Sequence, residues 1–376
     1  MRIPFLGRDM ILDDIALTFV PNLGSRGIYH LIDRFGDAES VYAQTEYSLV
    51  LSAELRQDIA QSILQRRGYS EAERELRYCE ERGITATSAT DALYPRLLGE
   101  VSDRPHIIYS MGDLEALQSP HILSVVGTRR ISSYGESICA RIIPELAERY
   151  PDMVVVSGLA FGVDAAAHRA ALASRVRTVA VLANTLPDIT PAQHRNLAKD
   201  ILDNGGAILT ELHSQTKQNG TYYIPRNRIV AGVADGLLVV ESPANGGSLS
   251  TAKAADAYSR TIMAVPGRIT DSRSEGTNHL IKTNVAQLVT SAEDIAIALG
   301  WESTEKSAPK IHYEPRSMTP KERVVFSTLE DNSDGLSLDT IADRAGLAVS
   351  ETSAILLNME LSGLVRQLPG KRYIIC

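Results

Sequence analysis

The sequence contains few cysteines, and they are widely separated. Only three of its 376 residues are cysteine, namely Cys79, Cys139 and Cys376, and no Cys-x-x-Cys pair occurs. Neither a disulfide framework nor a cysteine-based zinc site is therefore expected, and no other metal-ligand spacing appears. We predict a protein of the reducing cytoplasm that holds no metal and no cofactor.

Long apolar runs are also missing. Near the start of the chain, Arg8, Asp9, Asp13 and Asp14 stand where a secretory signal peptide would need its apolar core. No uninterrupted apolar stretch is long enough to cross a bilayer. We therefore expect neither a signal peptide nor a membrane partner.

A surplus of basic residues is absent as well. The formal net charge is −8 at pH 7, which argues against a protein that coats nucleic acid through bulk electrostatics. The acidity lies mostly in the flanking parts, since residues 86–300 hold 19 Lys and Arg against 21 Asp and Glu. A local basic groove is therefore compatible with the central region.

The composition that remains is ordinary for a globular protein, with 44% hydrophobic residues arranged in regions of different pattern. Residues 1–85 have helical periodicity and predict a small helical domain. Residues 86–301 alternate short apolar runs with helical segments, and residues 302–318 are polar and predict a linker. Residues 319–376 follow a three-helix pattern and end in two short β-like runs around Pro369-Gly370, which is typical of a winged helix.

The central region predicts an α/β fold. Its short apolar runs lack polar alternation, which is typical of parallel strands buried on both faces. Helices predicted at Tyr134–Arg149, Asp164–Ala173 and Ala192–Asn204 separate them, so we expect an open, doubly wound parallel sheet with right-handed crossovers. The predicted strands are Ile122–Val126, Met153–Ser157, Thr178–Leu182, Ala207–Thr210, Leu237–Glu241 and Thr261–Val265.

The turn after the first predicted strand has the composition of an anion site. Doubly wound sheets bind ligands beyond the carboxyl ends of their strands, and here Gly127, Thr128 and Arg129 follow that end. The glycine lets backbone amides approach a ligand, and the arginine can bind a phosphate bidentately. Ser133 and Glu136 fit a capping box at the next helix. The alternative is a tight turn with a solvent-facing arginine.

A second turn follows the next strand. Ser157 and Gly158 open it, and Asp164 is predicted to cap the helix beyond. Asp164 and His168 lie four residues apart, so an acid–base pair is conceivable. A pair without a nucleophile is not a catalytic set, and we favour a cap beside an ordinary surface histidine.

The segment YYIPRNRIVAG combines aromatic and basic residues. Tyr223, Arg226 and Asn227 suit a polymer with alternating phosphates and bases, because rings stack on bases and guanidinium groups bind the backbone. The alternative is a plain helix start, with Pro225 at its first position and the tyrosines in the core.

A third glycine turn follows the fifth strand. Gly247, Ser248 and Thr251 present amides and hydroxyls at a helix start. All these turns fall on one edge of the predicted sheet, without a nucleophile and base, or a Gly-Lys-Ser/Thr motif, beside them. Successive anion sites without catalytic groups indicate polynucleotide binding.

The order of motifs between Tyr94 and Gly300 resembles that of the DNA processing protein A family, also called DprA or Smf. VGTRRISSYG resembles its Gly-Ser/Thr-Arg motif, and SGLAFGVDAAAHRAAL, RNRIVAG, GGSLSTAKAA and AVPGRITDSRSEGTNHLI follow in the family's order. The resemblance implies an extended Rossmann-like domain that is not an enzyme. It also implies that the protein binds and protects incoming single-stranded DNA, forms a homodimer through this domain, and helps to load the RecA recombinase in natural transformation.

The resemblance assigns roles to residues as well. The turn at Gly127–Arg129 would hold the DNA backbone, and Tyr223 is the candidate for base stacking. Phe161 stands where many members carry arginine, which would remove one phosphate contact. The predicted nucleic-acid-binding residues are Gly127, Thr128, Arg129, Ser157, Gly158, Tyr223, Arg226, Asn227, Gly247, Ser248 and Thr251.

The flanking regions carry weaker resemblances. The N-terminal segment VPNLGSRGIYHLIDRFG resembles a helix-hairpin-helix, as in the SAM-like domain of the family, and a plain helical packing module is the alternative. The second helix of the winged-helix part contains Glu351 and Glu360 but no Lys or Arg. Since a recognition helix in a major groove needs positive charge, we interpret this part as a protein-interaction or regulatory module.

Two other functions compete with DNA binding. NGGSLST loosely resembles the Gly-Gly loop of nucleotide phosphoribohydrolases, although those enzymes follow it with a glutamate and here Thr251-Ala252-Lys253 follows. A nucleotide-processing hydrolase is therefore the alternative function. An adaptor that acts only through its winged helix is the third.

Overall fold

The computed structural model describes residues 5–217, 220–301, 318–330, 335–361, 364–368 and 372–375. The chain forms two compact units, Met1–Trp301 and Glu302–Cys376. The predicted division of the first unit at residues 85 and 86 stays a prediction. The predicted linker, apart from Met318, lies outside the described residues.

The first unit begins with helices, as predicted. The short helix α3 starts where the Asp37 side chain accepts a hydrogen bond from the Ser40 amide at 2.7 Å, and α5 ends at Gly83 in the left-handed conformation. The resemblance of this region to a SAM or helix-hairpin-helix domain stays a prediction. The helices are α1 (Phe5–Thr18), α2 (Ser25–Phe35), α3 (Ala38–Tyr42), α4 (Gln57–Leu64) and α5 (Tyr69–Arg82).

A nine-stranded sheet forms the centre of this unit, in the order β1-β2-β6-β5-β4-β3-β7-β8-β9. Strands β3 to β9 are parallel to one another, whereas β2 pairs antiparallel with both β1 and β6. The strands are β1 (Thr85–Ser88), β2 (Ile107–Gly112), β3 (Ile122–Val126), β4 (Val154–Ser157), β5 (Arg177–Val181), β6 (Ala207–Thr210), β7 (Gly236–Val239), β8 (Thr261–Ala264) and β9 (Gln287–Leu288).

The prediction of an α/β fold with a doubly wound parallel sheet is confirmed. All six predicted strands are present, two with the predicted bounds and the others shifted by one or two residues. Strands β1, β2 and β9 were not predicted. The remaining helices of the unit are α6 (Arg96–Gly99), α7 (Ser133–Arg149), α8 (Val163–Ala173), α9 (Arg195–Asp203), α10 (Tyr223–Gly232), α11 (Ser248–Ala257), α12 (Glu275–Lys282) and α13 (Ala292–Leu299).

The N-terminal helices and the sheet share a hydrophobic core. Ile15 and Leu31 belong to the same buried cluster as Ile107 and Ile208 of the sheet. Helix α2 is amphipathic, and its apolar side chains lie on one face, which packs into this core. The region therefore packs on the sheet through apolar contact.

The second unit has the element order of a winged helix. Three helices pack with a three-stranded antiparallel sheet of order β10-β12-β11, and the predicted turn at Pro369-Gly370 lies outside the described residues. On α16, Glu351 forms an ion pair with Lys321, and Glu360 accepts a hydrogen bond from the Gln367 amide at 3.1 Å. The elements are α14 (Pro320–Glu330), β10 (Leu336–Ser337), α15 (Leu338–Ala345), α16 (Val349–Leu361), β11 (Val365–Leu368) and β12 (Arg372–Ile375).

Among the helices of the described ranges, none combines the length and the apolar character needed to span a bilayer.

Candidate nucleic-acid interface

A cavity of about 360 Å³ opens at the edge of the sheet where the parallel strands end, which we call the carboxyl edge. It lies beside β3 and β7, the neighbouring strands at which the strand order reverses, and this is where open α/β sheets bind ligands. The cavity is lined by Val126, Gly127, Thr128, Arg129, Gly158, Ala160, Asp164, Tyr223, Ile224, Arg226, Asn227, Val230, Pro243, Asn245, Gly246, Gly247, Ser248, Ser250 and Thr251.

The turn after β3 is held against the end of β7. The amide of Thr128 donates to the Glu241 carbonyl at 2.7 Å. A Cβ on Gly127 would lie 2.5 Å from Val163 Cγ2 and 2.7 Å from the same carbonyl, so only glycine fits this close approach. The turn therefore has a fixed position at the mouth of the cavity.

The start of α7 differs from the prediction. Ser132 is the N-cap residue, because its Oγ accepts from the Gly135 amide at 3.2 Å, and the predicted capping box of Ser133 and Glu136 is wrong. The cause is Glu241, which follows strand β7: its carboxylate accepts from the Ser132 amide at 2.9 Å and from the Ser132 hydroxyl. These bonds determine which of the two adjacent serines faces the helix.

Arg129 projects from this turn and is exposed. Its Cζ lies 4.8 Å from the centroid of the Tyr223 ring, which is a cation–π contact. Within the described ranges, no carboxylate forms an ion pair with it. The guanidinium is therefore positioned without being neutralised.

Arg226 lines the same cavity but is only 5% exposed. Its Nη1 donates to the Val181 carbonyl at the end of β5, at 2.6 Å, while Nε has no hydrogen-bond partner among the residues that the structure describes. A Cβ on Gly158 would lie 1.9 Å from Nη1, so this glycine makes room for the guanidinium. Burial lowers the pKa of Arg226, and the opposite charge of Asp164 raises it.

The prediction that Asp164 caps α8 is wrong. The N-cap residue is Gly162, without a side-chain cap, and Asp164 Oδ2 accepts from the Ala160 amide at 3.2 Å. Burial raises the pKa of Asp164, and the Arg226 charge opposes that shift. The carboxyl group therefore holds the loop that carries Phe161 rather than the helix start.

His168 is a core residue, and the prediction of a surface histidine is wrong. It is fully buried, and its Nδ1 lies 2.7 Å from the Thr178 hydroxyl oxygen. That hydroxyl donates to the Val155 carbonyl, so Nδ1 carries the proton and donates to Thr178. Burial lowers the pKa of His168 to about 3, which keeps the ring neutral. No hydrogen bond joins it to Asp164, and an acid–base pair is not formed.

Helices α10 and α11 close the cavity on its far side. Asn227 Nδ2 donates to Ser250 Oγ at 2.8 Å, and Ser248 Oγ donates to Ser242 Oγ at 2.9 Å. Helix α11 begins after Gly247, around which a Cβ would meet nothing within 4 Å. The amides of Leu249 and Ser250 in its first turn donate to the carbonyls of Gly246 and Gly247, at 3.0 and 3.1 Å, and this helix start lines the cavity.

The other basic residue of the YYIPRNRIVAG segment points elsewhere. Arg228 forms an ion pair with Glu211, donates to the Asp103 carbonyl, and does not line the cavity. Because α10 begins at Tyr223, Pro225 occupies its third position rather than the first. Tyr222 and Tyr223 are half-buried rather than core residues.

The structure brings together every predicted binding residue except one. Ser157 is fully buried, its hydroxyl donates to the Val125 carbonyl at 2.6 Å, and it is not part of the lining. The binding role of the whole set stays a prediction. Residues missed by sequence reasoning, such as Asn184 and Thr190, line a second cavity beside the first. The sequence feature that could have identified them is the position of their loop, directly after a strand that ends at this edge.

Each of the two units matches a known family model. Residues 85–300 match the family model of DNA recombination-mediator protein A, which is more than half of the chain. Residues 312–371 match the DprA winged helix domain, in agreement with the fold of the second unit.

Individual relatives give the same result. Protein Smf of Escherichia coli is 35% identical over 302 residues, which cover 79% of each chain. The structure of DNA processing protein A from Streptococcus pneumoniae aligns with a TM-score of 0.57 and 30% identity, over 72% of this chain and 96% of the other.

A second solved relative is DNA processing protein A from Helicobacter pylori, described for its single-stranded DNA binding mode. It aligns with a TM-score of 0.52 and 26% identity, over 58% of this chain and 97% of its own. From the family match and these relatives, the chain belongs to the DNA recombination-mediator protein A family, whose members include DprA and Smf.

Proposed function

We propose that this protein binds single-stranded DNA along the carboxyl edge of its sheet and mediates recombination without catalysing a reaction. The observation that carries the proposal is Arg129, an exposed guanidinium that no described carboxylate neutralises, at the mouth of a cavity lined by glycine turns. Such a group is available to a phosphate and can bind it bidentately. The family membership and the H. pylori relative support the same ligand.

Further anion-binding groups line the same cavity. The start of α11 lines the cavity, and the positive end of the helix dipole favours negative charge there. Arg226 adds a buried positive charge with an unpartnered Nε. Several anion-binding groups along one edge suit a strand with repeated phosphates better than a single anion.

The aromatic lining favours an unpaired strand. Tyr223 lines the cavity beside Arg129, and Ile224 is 72% exposed next to it. Rings and apolar side chains stack on bases whose faces are accessible, which those of a duplex are not. Because every base has a π-face, we expect little sequence preference.

A binding role also agrees with the groups that are present. Asp164 is the one carboxylic acid among the described residues of the lining, and it is buried and hydrogen-bonded to a backbone amide. The serine hydroxyls at 248 and 250 bond to neighbouring oxygen atoms. Release of free base from nucleoside monophosphates, at appreciable turnover, would favour the hydrolase alternative instead.

The family membership supports a further proposal about the partners of this protein, and its few, scattered cysteines support one about its location. We infer that the protein acts in the cytoplasm, forms a homodimer through the Rossmann-like domain, and helps to load the RecA recombinase onto incoming DNA. The carboxylates of α16, both engaged within the second unit, and the lack of Lys and Arg on that helix support a role of the winged helix in protein contact rather than in DNA binding.

A direct test compares labelled single-stranded and double-stranded oligonucleotides of equal length over a salt series. We expect tight, sequence-independent binding of the single strand, weaker binding of the duplex, and affinity that falls with salt because phosphate contacts release counterions. Equal affinity for both forms, or no retention of the single strand at low salt, would contradict the proposal.

A further inference from the structure

The second cavity, of about 70 Å³, adjoins the first at the carboxyl edge. The two share Arg129, Gly158, Ala160 and Tyr223 in their linings, so Arg129 borders both. The second cavity is lined by Arg129, Gly158, Ala160, Phe161, Ala183, Asn184, Thr190, Pro191 and Tyr223.

Phe161 presents an exposed aromatic ring in this lining. The residue is 45% exposed, although a ring of this size is usually buried in a core. It packs edge-to-face against His194, with ring centroids 4.9 Å apart and planes at 64°. His194 is buried, and its Nδ1 lies 2.8 Å from the Leu159 carbonyl oxygen. The ring is therefore held by a fixed neighbour while much of its surface stays open.

The other aromatic residue in the lining is already in contact with a cation. Arg129 Cζ lies 4.8 Å from the Tyr223 ring centroid, which places a guanidinium on one face of that ring. Phe161 has no such contact among the described residues. It is therefore the ring of the lining whose surface is more available to a base.

A polar group of fixed orientation lies in the same cavity. Asn184 is 7% exposed, and its Nδ2 donates to the carbonyls of Thr185 at 3.1 Å and Asp188 at 2.7 Å. Within the described part of the chain, no group donates to its side-chain oxygen. Nucleobases carry donors on their edges, and a preset amide oxygen can accept from one of them.

We propose that the second cavity, with Phe161 as its stacking surface and Asn184 as its polar group, binds one nucleobase of a strand whose phosphates contact Arg129. The inference rests on the proposed function, because it requires a single strand at this edge. Stacking on a phenylalanine is sequence-tolerant, so the base adds affinity at every sequence. Residue 161 therefore contacts a base, whereas the arginine that many family members carry there would contact a phosphate.

The test uses two oligonucleotides of equal length, one with normal thymine bases and one with abasic sites at every position. Fluorescence anisotropy gives the affinity of the full chain for each. We expect Phe161→Leu to bind the normal strand roughly 5- to 150-fold more weakly, which is the range of one lost stacked base. The abasic strand should bind as before, and the salt dependence should not change. Phe161→Tyr, which keeps a ring, should bind both strands as the wild type does.

The outcomes separate this inference from the proposed function. Equal weakening on both strands, or none on either, would contradict the base site. Arg129→Ala should weaken both strands, and if neither strand binds the wild type, the proposed function fails. Phe161→Arg is a second variant, and the fold should accept it because the position is exposed. It should bind the abasic strand more tightly and steepen the logarithmic salt slope by about 0.7. An unchanged slope would place residue 161 away from the strand.

Discussion

Replacing Arg129 by alanine removes the guanidinium on which the DNA-binding proposal depends. The side chain is exposed and its described contact is the Tyr223 ring at 4.8 Å, a cation–π contact that contributes about 0.5–1 kcal/mol at an exposed site. The free energy of unfolding should therefore change by no more than about 1 kcal/mol. Any large loss of DNA binding would then report a lost ligand contact.

The size of that loss follows from the bond that is removed. A hydrogen bond to a charged group contributes about 1.5–3 kcal/mol, so the affinity for single-stranded DNA should fall roughly 10- to 150-fold. One lost phosphate contact should also reduce the logarithmic salt slope by about 0.7. Arg129→Lys keeps the charge but not the bidentate geometry, so it should retain the slope and recover part of the affinity.

The assay is fluorescence anisotropy with one labelled oligonucleotide over a salt series. Arg175→Ala is the matched control: it removes the same charge from an exposed residue just before β5, at the opposite edge of the sheet. We expect its affinity and slope to equal those of the wild type. If Arg129→Ala binds as tightly as the wild type with an unchanged slope, the assignment of the site is wrong.

Two further predictions concern packing and pH. Gly158→Ala places a Cβ 1.9 Å from Arg226 Nη1, so it should displace that guanidinium, destabilise the fold by about 1–3 kcal/mol and weaken DNA binding. Thermal unfolding and anisotropy check this, and Gly247→Ala, which meets nothing within 4 Å, is the control that should keep the fold. Burial lowers the pKa of His168 to about 3, below its value in the unfolded chain, so the unfolded state takes up a proton first as the pH falls through about 6.5. The free energy of unfolding should then fall by about 1.4 kcal/mol per pH unit. Denaturant unfolding over a pH series measures this fall. A His168→Asn variant with the same pH dependence as the wild type would refute the reasoning.

The sheet could be predicted because its strands carry their own signal. Strands such as Ile122–Val126 and Ala207–Thr210 are apolar on both faces, and the structure buries both faces. Strand β1, Thr85–Ser88, is short and polar, so nothing in its local sequence separates it from a loop. Its pairing depends on β2, which lies about twenty residues further along the chain.

The sequence predicted which residues line the candidate site better than it predicted how they are arranged. Glycine and arginine after a buried strand identified the turn at Arg129, because the carboxyl ends of parallel strands share one edge. The burial of Arg226 depends on Gly158 of another strand's loop, and the choice of Ser132 over Ser133 depends on Glu241, 109 residues away. Contacts of this range leave no trace in the local pattern.

The structure of this protein with a bound oligothymidylate tests the central claim most directly. The account predicts a phosphate oxygen within about 3 Å of a guanidinium nitrogen of Arg129, with the strand running along the carboxyl edge past the start of α11. A strand bound elsewhere on the molecule, with Arg129 in contact with solvent alone, would contradict it.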